Sequence, residues 1–232
     1  MKLSVIIPVY NEEKTLGKIV ERVEKVEMPL VEKELIIVND GSQDRTAQII
    51  KELKLNYKNI QSFSHEKNRG KGAAIKTALA HITGDIIVIQ DGDLEYNPED
   101  FQRLIKPILQ GKTKVVYGSR MLGHLTGFTI ASHYYGNKFL TLLTKILYGQ
   151  KITDMETCYK MFTREVIQNI KLESERFDFE PEITAKIIKK GYTIIELPID
   201  YACRSFKEGK KIRGRDGVIA IWKLFKYYFK EN

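Results

Sequence analysis

The stretch IIVIQDGD at residues 86–93 decides the fold that this sequence predicts. Four β-branched apolar residues in a row are typical of a strand that is covered by helices on both faces, as in a parallel sheet. The aspartate, glycine and aspartate that come later in the stretch predict a turn at the end of this strand. Because ligands bind beyond the carboxyl ends of the strands in open parallel sheets, the two carboxylates are expected at a ligand site.

The same alternation of strand and helix extends through the residues before this stretch. Short apolar runs are each followed by a segment with helical periodicity. The predicted strands and helices alternate at residues 3–9, 13–26, 34–38, 44–53, 60–64 and 72–81. Repeated right-handed crossovers of this kind build an α/β sandwich, with a mostly parallel sheet and helices on both faces.

After residue 120 the regular alternation stops. Residues 121–148 are rich in aromatic residues, glycine and leucine, and their second half predicts a helix at 137–147. A helix at 182–189, a strand at 193–198 and a last helix at 217–229 complete the predicted elements. We interpret this second half as the side of the molecule that binds an acceptor.

Composition and charge limit the class of partner. The chain has 232 residues, 43% of them hydrophobic, which is enough for one α/β core. Lys and Arg outnumber Asp and Glu by 38 to 30, and the formal charge of +8 favours an anionic partner. The excess is concentrated at residues 204–215, which carry six basic residues and one acidic residue. No nucleic acid is expected as a partner, because no nucleic-acid-binding motif occurs and the strand-end carboxylates would repel phosphates without a metal.

The acidic turn after the strand at residues 86–89 has the chemistry of a divalent-metal site. Asp91 and Asp93 present hard oxygen ligands, and Glu95 is placed to join them directly or through water. Gly92 between them would let a ligand approach the backbone. With diphosphate oxygens on its other side, Mg²⁺ or Mn²⁺ would complete an octahedral shell here. The alternative is a capped turn that holds no metal.

Other strand-to-helix turns carry groups that suit a nucleotide. Asp40 could accept hydrogen bonds from a base, and the alternative is a turn that caps the next helix. Near the end of the first strand, Tyr10 offers a stacking face and Glu12 an acceptor for ribose hydroxyls. Lys71 belongs to the glycine-rich basic segment HEKNRGKG at residues 65–72, which precedes a predicted helix and suits a diphosphate.

Several ordered motifs together resemble the family-two glycosyltransferases, and among them the polyprenyl-phosphate (dolichyl-phosphate) mannose and glucose synthases. The motifs are VIIPVYNE (5–12), VNDGS (38–42), NRGKG (68–72), QDGD (90–93), YGSR (117–120), DMETCYK (154–160), FEPE (179–182) and EGKK (208–211). The resemblance covers nearly the whole chain. It implies the nucleotide-diphospho-sugar transferase fold, of the GT-A type, in a single domain over residues 1–232.

The resemblance also implies that three segments of this domain have different functions. Residues 1–120 would bind the nucleotide sugar and the metal, residues 121–215 the acceptor, and residues 216–232 would form an amphipathic helix. The predicted nucleotide-sugar ligands are Pro8, Tyr10, Glu12, Asp40, Lys71, Asp91 and Gly92. The predicted metal ligands are Asp91, Asp93 and Glu95. The predicted catalytic residues, which include the basic residues near the acceptor phosphate and the donor diphosphate, are Asp93, Arg120, Arg204 and Lys210.

The family is inverting, which implies a single in-line displacement at the anomeric carbon. The resemblance implies transfer of mannose or glucose, from GDP-mannose or UDP-glucose, to a polyprenyl phosphate that already carries a negative charge. The alternative is transfer to a saccharide or another hydroxyl acceptor in cell-envelope polysaccharide synthesis, for which Glu180 or Asp154 are the candidate bases. For Asp154 the other interpretation is a helix cap or an ion pair with Lys160.

The last predicted helix has a composition suited to a membrane interface. The segment IAIWKLFKYYFK at residues 219–230 mixes Trp, Tyr and Phe with Lys. The alternative is a helix that docks its apolar side on the sheet. No apolar stretch is long enough to span a membrane, and the first residues lack the features of a signal peptide. We therefore expect a cytoplasmic protein that attaches peripherally to the cytoplasmic face of a membrane surface.

Overall fold

The computed structural model describes residues 1–127, 131–204 and 214–230. The strands are β1 (Lys2–Val9), β2 (Glu32–Asn39), β3 (Ile60–Ser64), β4 (Ile86–Ile89), β5 (Val115–Ser119), β6 (Leu125–Gly127), β7 (Lys160–Thr163), β8 (Ile194–Pro198) and β9 (Tyr201–Cys203). The α-helices are α1 (Leu16–Lys25), α2 (Thr46–Asn56), α3 (Lys71–Leu79), α4 (Phe101–Leu104), α5 (Lys106–Leu109), α6 (Ala131–Tyr148), α7 (Arg164–Gln168), α8 (Phe179–Lys189) and α9 (Gly214–Phe229).

The large sheet has seven strands in the order β3-β2-β1-β4-β7-β5-β8. β1 pairs in parallel with β2 and with β4, and β2 pairs in parallel with β3. The apolar residues of these central strands are buried, as their uninterrupted apolar runs predict. The predicted α/β fold with a mostly parallel sheet is confirmed, and its carboxyl edge gathers the loops that follow β1, β2 and β4.

β7 departs from the predicted parallel pattern, because it lies antiparallel between β4 and β5. The sequence analysis predicts no strand here, since the short run KMFT begins with a lysine. Lys160 is nevertheless fully buried, and its ammonium donates to the carbonyl oxygen of Met155 at 2.9 Å and to Glu180 Oε2 at 2.5 Å. Beyond β7, β5 pairs in parallel with β8, and β6 and β9 form a separate two-stranded parallel sheet.

The six predicted helices are present, whereas α4, α5 and α7 were not predicted, and several of the six begin earlier than the periodicity indicates. α6 begins at residue 131 instead of 137, α8 at 179 instead of 182, and α9 at 214 instead of 217. The first turns of these helices carry polar residues, proline or glycine, which do not show the apolar repeat. Asn97 caps the short helical turn at residues 98–100, because its side chain accepts a hydrogen bond from the backbone N–H of Glu99 at 3.2 Å.

A buried carboxylate joins β2 to β1 and to the loop before β4 at the opposite edge of the sheet. Glu34 is 3% exposed and accepts hydrogen bonds from Ser4 Oγ at 2.5 Å, from the Thr83 N–H at 2.6 Å and from the Gly84 N–H at 3.0 Å. Lys2 Nζ lies 2.7 Å from its other oxygen. Burial alone would raise the pKa of Glu34, but these donors lower that pKa to about 2.

α6 and α9 pack together, and each helix exposes apolar side chains to solvent. The Tyr148 hydroxyl, at the end of α6, donates to the Leu224 carbonyl in α9 at 2.6 Å. We call this exposed surface the apolar face; its residues are Tyr135, Phe139, Leu142, Ile146, Trp222, Phe225 and Phe229. Ile146 is 71% exposed and Phe229 is 74% exposed. In the described ranges, no helix combines the length and apolarity that crossing a bilayer would require.

Candidate active site

The loops after β1 and β2 hold each other in place at the carboxyl edge of the sheet. Five hydrogen bonds between backbone N–H groups and side-chain oxygens join them, and we call the two loops together the loop pair. These bonds run from Asn11 to Ser42 Oγ, from Glu12 to Thr46 Oγ1, from Glu13 to Asp44 Oδ2, from Gln43 to Asn11 Oδ1 and from Arg45 to Glu13 Oε2. Asn11 adopts a φ of 51°, which an asparagine with local hydrogen bonds tolerates better than most residues do. The loop pair is therefore a fixed wall of the site.

Asp40, which is predicted to contact the base of the nucleotide, is buried. Its carboxylate accepts hydrogen bonds from the basic segment that follows β3. Its Oδ1 accepts from the Arg69 N–H at 2.9 Å, and its Oδ2 accepts from the Gly70 N–H at 2.7 Å. His65 Nδ1 lies 2.7 Å from the same carboxylate. Gly41 next to it has a φ of 71°, and a Cβ there would lie 2.5 Å from the Lys67 carbonyl carbon. The carboxylate thus fixes the segment that leads to Lys71.

The acidic turn after β4 is a strained turn. Leu94 has a φ of 63°, an uncommon conformation for a residue with a branched side chain. The Glu95 N–H donates to Asp93 Oδ1 at 3.1 Å and closes the turn. A Cβ on Gly92 would lie 2.9 Å from Val9 Cγ1, so glycine is needed here for packing against β1. The ligand approach predicted for Gly92 is a separate role that stays a prediction.

Lys71 joins the acidic turn to α8. Its ammonium, at the first residue of α3, lies 2.9 Å from Asp91 Oδ1 and 3.2 Å from Glu180 Oε1. Burial alone would lower the pKa of Lys71, but the carboxylate of Asp91 raises it well above its usual value. Glu180 is also paired with Lys160 at 2.5 Å. Asp91 and Glu180 are thus held on either side of one cation.

Arg204 contacts the remaining carboxylates of the site, which belong to Glu12, Asp93 and Glu95. Its Nη2 donates to Asp93 Oδ2 at 2.7 Å, and its Nη1 lies 3.4 Å from Glu12 Oε2. Its backbone N–H donates to Glu95 Oε1 at 2.7 Å, while the Tyr201 hydroxyl donates to Glu95 Oε2 at 2.6 Å. Burial and the charges of Asp91 and Glu95 raise the pKa of Asp93 to about 7, against the effect of Arg204. Negative charge is therefore in excess at this turn.

That excess fits a divalent cation held by two carboxylates and by ligand oxygens. The described residues contain no ready-made group of three or more metal-binding side chains. Asp91 and Asp93 are nevertheless hard oxygen donors at one turn, and Mg²⁺ is commonly held by one or two carboxylates together with substrate phosphates. Glu95 uses its two oxygens for Tyr201 and Arg204, so its predicted place among the metal ligands would require these contacts to change.

Arg120 and Asp154 form a buried ion pair on the second side of the site. Arg120 Nε and Nη2 donate to the two oxygens of Asp154 at 2.7 and 2.8 Å, and Asn137 Nδ2 of α6 donates to Asp154 Oδ1 at 2.8 Å. The guanidinium also lies 5.1 Å above the ring of Tyr201. Burial alone would raise the pKa of Asp154, but Arg120 lowers it below its usual value. The alternative interpretation in which Asp154 pairs with Lys160 is wrong, because Asp154 pairs with Arg120 and Lys160 pairs with Glu180.

The predicted site residues are thus gathered into two adjacent clusters. The first contains Glu12, Lys71, Asp91, Asp93, Glu95 and Arg204. The second contains Arg120, and Tyr201 contacts both clusters. Pro8 and Tyr10 are partly buried at the end of β1. Asp40 is connected to Lys71 through the hydrogen bonds that it accepts from the two preceding residues. Lys210 lies outside the described residues. Asn137 and Tyr201 were not predicted, because neither belongs to a local motif and only the tertiary fold brings them here.

The chain is similar in sequence to known proteins. The family described as Glycosyl transferase family 2 matches residues 4–171. A dolichyl-phosphate beta-glucosyltransferase of Trichomonas vaginalis, ALG5A, is 31% identical over 212 residues, which are 86% of this chain and 65% of the relative. An uncharacterized protein of Methanocaldococcus jannaschii, MJ1222, is 28% identical over 233 residues, with coverage of 97% and 90%. The chain spans slightly less than two thirds of the length of the Trichomonas relatives ALG5A and ALG5C, at 65% and 62%.

Solved structures share the fold. Glucosyl-3-phosphoglycerate synthase from Mycobacterium tuberculosis, in complex with Mn²⁺ and UDP-glucose, superimposes with a TM-score of 0.76 at 19% identity, covering 100% of this chain and 80% of that one. The same protein with Mg²⁺ and UDP gives a TM-score of 0.73 at 20% identity, with the same coverage. At this identity the similarity establishes the fold, a nucleotide-sugar transferase fold of the GT-A type.

Proposed function

The chain belongs to glycosyl transferase family 2, and we propose that it is an inverting enzyme that moves a hexose from a nucleotide diphosphate sugar to a polyprenyl or dolichyl phosphate. One observation carries the choice of acceptor. Helix α6 places Asn137 in the buried Arg120–Asp154 cluster and exposes Phe139, Leu142 and Ile146 on the apolar face. A lipid phosphate combines a charged head with a long apolar tail, and one helix here offers a surface for each.

The donor half of the proposal uses the first cluster. The loop pair and Asp40 would hold the nucleoside, and Lys71 would bind the diphosphate at the start of α3, where the helix dipole also favours an anion. A divalent cation at Asp91 and Asp93, when bound, would neutralise charge that develops on the leaving diphosphate. UDP-glucose and GDP-mannose are both compatible donors, and the relatives named for beta-glucosyl transfer favour UDP-glucose.

The chemistry needs no general base if the acceptor is a phosphate. An oxygen of the lipid phosphate attacks the anomeric carbon, the bond from that carbon to the diphosphate breaks, and the configuration inverts. A phosphate monoester has a second pKa of about 6, so it is largely dianionic near pH 7. Asp154 is a poor base because Arg120 lowers its pKa, and Glu180 is held by two lysines. Both observations favour a phosphate over a hydroxyl acceptor.

The basic residues would then act by charge. Arg204, now paired with Asp93 and Glu12, lies where it can turn to an incoming diphosphate once a cation takes its place at Asp93. Arg120 is held rigidly by Asp154, and its guanidinium would offer its remaining donors to the acceptor phosphate. Lys210 belongs to the same proposal through its motif alone.

The acceptor also implies a membrane surface. The apolar face carries Trp222 and three phenylalanines, side chains that are typical of a membrane interface. We propose that this face rests on the cytoplasmic side of the bilayer, so that the lipid phosphate reaches the site without leaving the membrane.

A transfer assay tests the acceptor directly. Purified protein with Mn²⁺ and radiolabelled UDP-glucose or GDP-mannose is incubated with vesicles that contain polyprenyl phosphate, and label is measured in the organic extract. We expect label in the lipid fraction with one donor, and none when polyprenol replaces polyprenyl phosphate. Label that stays in a water-soluble saccharide would support the hydroxyl acceptor and overturn the proposal, as would the absence of any lipid product with both donors.

A further inference from the structure

Glu156, in the second half of the chain, has a carboxylate oxygen without a hydrogen-bond partner. It lies in the loop between α6 and β7, and its Oε1 is buried without a hydrogen-bond partner. In the described part of the chain, no hydrogen bond or ion pair ends on this carboxylate, although every other charged residue from 154 to 160 is paired. A buried acceptor that is left unsatisfied is costly, so such a group calls for an explanation.

The loop that carries Glu156 is fixed on both sides of it. The Met155 N–H donates to Thr141 Oγ1 of α6 at 3.1 Å. The carbonyl oxygens of Met155 and Thr157 both accept hydrogen bonds from the Lys160 ammonium. The position of Glu156 is therefore set by the backbone, and its side chain has not been recruited to hold the loop together.

Charged residues next to both clusters surround Glu156. They are Glu180, which contacts Lys71 of the first cluster, Arg120 of the second cluster with its partner Asp154, and Lys160. Burial and the negative charge of Glu180 raise the pKa of Glu156 to about 7. The Glu156 side chain is partly exposed in its loop, and the charged groups around it are already paired with one another.

We propose that Glu156 binds hydroxyl groups of the hexose that is transferred and thereby contributes to the choice of sugar. The inference rests on the proposed function, in which the diphosphate lies at Lys71 and the acceptor phosphate at Arg120. The hexose must then lie between these two groups, where Glu156 is. A carboxylate accepts hydrogen bonds from two sugar hydroxyls, and its protonated form donates one as well, so the sugar would satisfy Oε1.

Affinity for the nucleotide alone separates this role from a general structural one. UDP and GDP lack the hexose, so replacing Glu156 should leave their binding unchanged. Binding of the corresponding nucleotide sugar should weaken, because sites built to hydrogen-bond a hydroxyl lose affinity when one partner is removed. The comparison uses the nucleotide that the wild-type protein binds in the presence of Mn²⁺.

Calorimetry on the full chain with Glu156→Gln and Glu156→Ala makes this measurement, with Glu165→Gln as the matched control. Glu165 is an exposed residue of α7 that pairs with Lys114 far from the site. For Glu156→Ala we expect at least about tenfold weaker binding of the nucleotide sugar and a change of less than about twofold for the nucleotide. Glu156→Gln, which keeps one acceptor oxygen, should lie between Glu156→Ala and the wild type.

Two results would overturn the inference while leaving the proposed function intact. One is an unchanged affinity of Glu156→Ala for the nucleotide sugar, and the other is an equal loss for nucleotide and nucleotide sugar, which would indicate a structural role. If the wild-type protein binds no nucleotide sugar with Mn²⁺ present, the proposed function fails and this inference fails with it.

Discussion

Asp154→Asn should strongly destabilise the protein, although it removes only a charge. Asp154 is fully buried, and its two oxygens accept hydrogen bonds from the Arg120 side chain at 2.7 and 2.8 Å and from the Arg120 N–H at 2.9 Å. Asparagine cannot accept all of these bonds, and the Arg120 guanidinium would remain in the interior without a counter-charge. Breaking a buried pair by removing one partner costs about 3–5 kcal/mol.

The magnitude is large enough to measure in two ways. Urea unfolding at pH 7.5 should show a free energy of unfolding that is lower by about 3–5 kcal/mol. For a chain of this size, each 1 kcal/mol corresponds to about 2–4 °C, so the melting temperature should fall by roughly 6–20 °C. Arg120→Gln alone should also be destabilising, since it leaves the Asp154 carboxylate buried and unpaired.

The double variant Arg120→Gln with Asp154→Asn distinguishes the pair from two unrelated defects. Once both charges are removed, neither is left unpaired, and the double variant should lose less than the two single losses added together. The exposed pair of Lys114 and Glu165 is the control, and Glu165→Gln should cost under about 1 kcal/mol. Strict additivity, or a loss below about 1 kcal/mol for Asp154→Asn, would refute the view that this pair anchors the second cluster.

Three further outcomes are expected. Asp93→Ala should abolish the thermal stabilisation that Mn²⁺ and a nucleotide diphosphate give together, while the unliganded protein stays folded; wild-type stabilisation in this variant would contradict the metal assignment. The pair Trp222→Ser and Phe229→Ser should reduce co-sedimentation with anionic vesicles several-fold, whereas Leu55→Ser, which changes an 85% exposed residue of α2, should not. Glu34→Gln should cost about 2–3 kcal/mol at pH 7. Because the folded pKa of about 2 lies below the usual 4.5, this difference from wild type should shrink as pH falls below about 5 and should be under about 1 kcal/mol at pH 2. A difference at pH 2 as large as that at pH 7 would refute this.

The sequence was most informative where apolar runs and polar turns alternate. The runs in β1, β2 and β4 predicted buried parallel strands, and their order predicted that Asp40 and Asp91 would lie at the same edge of the sheet. This works because a strand buried on both faces carries a nearly continuous run of apolar residues, which is recognisable in the local sequence. The turns after such strands are then located without knowledge of the rest of the fold.

The sequence was least informative where partners come from distant segments. β7 was missed because Lys160 interrupts its apolar run, and its burial makes sense only once Glu180 and two carbonyl oxygens surround the ammonium. The partner of Asp154 was predicted wrongly for the same reason, since Lys160 is near in sequence and Arg120 is near in space. The identity of ion-pair partners depends on topology, which local patterns do not contain. The predicted division into residues 1–120, 121–215 and 216–232 stays a prediction.

The loop pair constrains how relatives of this protein can differ from one another. Each loop is held by side chains of the other. An insertion or deletion in one loop would therefore displace the other and require a matching change 31 or 32 positions away. Length variation is therefore expected to accumulate in the second half of the chain, where α6 and the β7 loop meet the acceptor. A fold of this kind can inherit one way of holding an activated sugar and diversify what receives it.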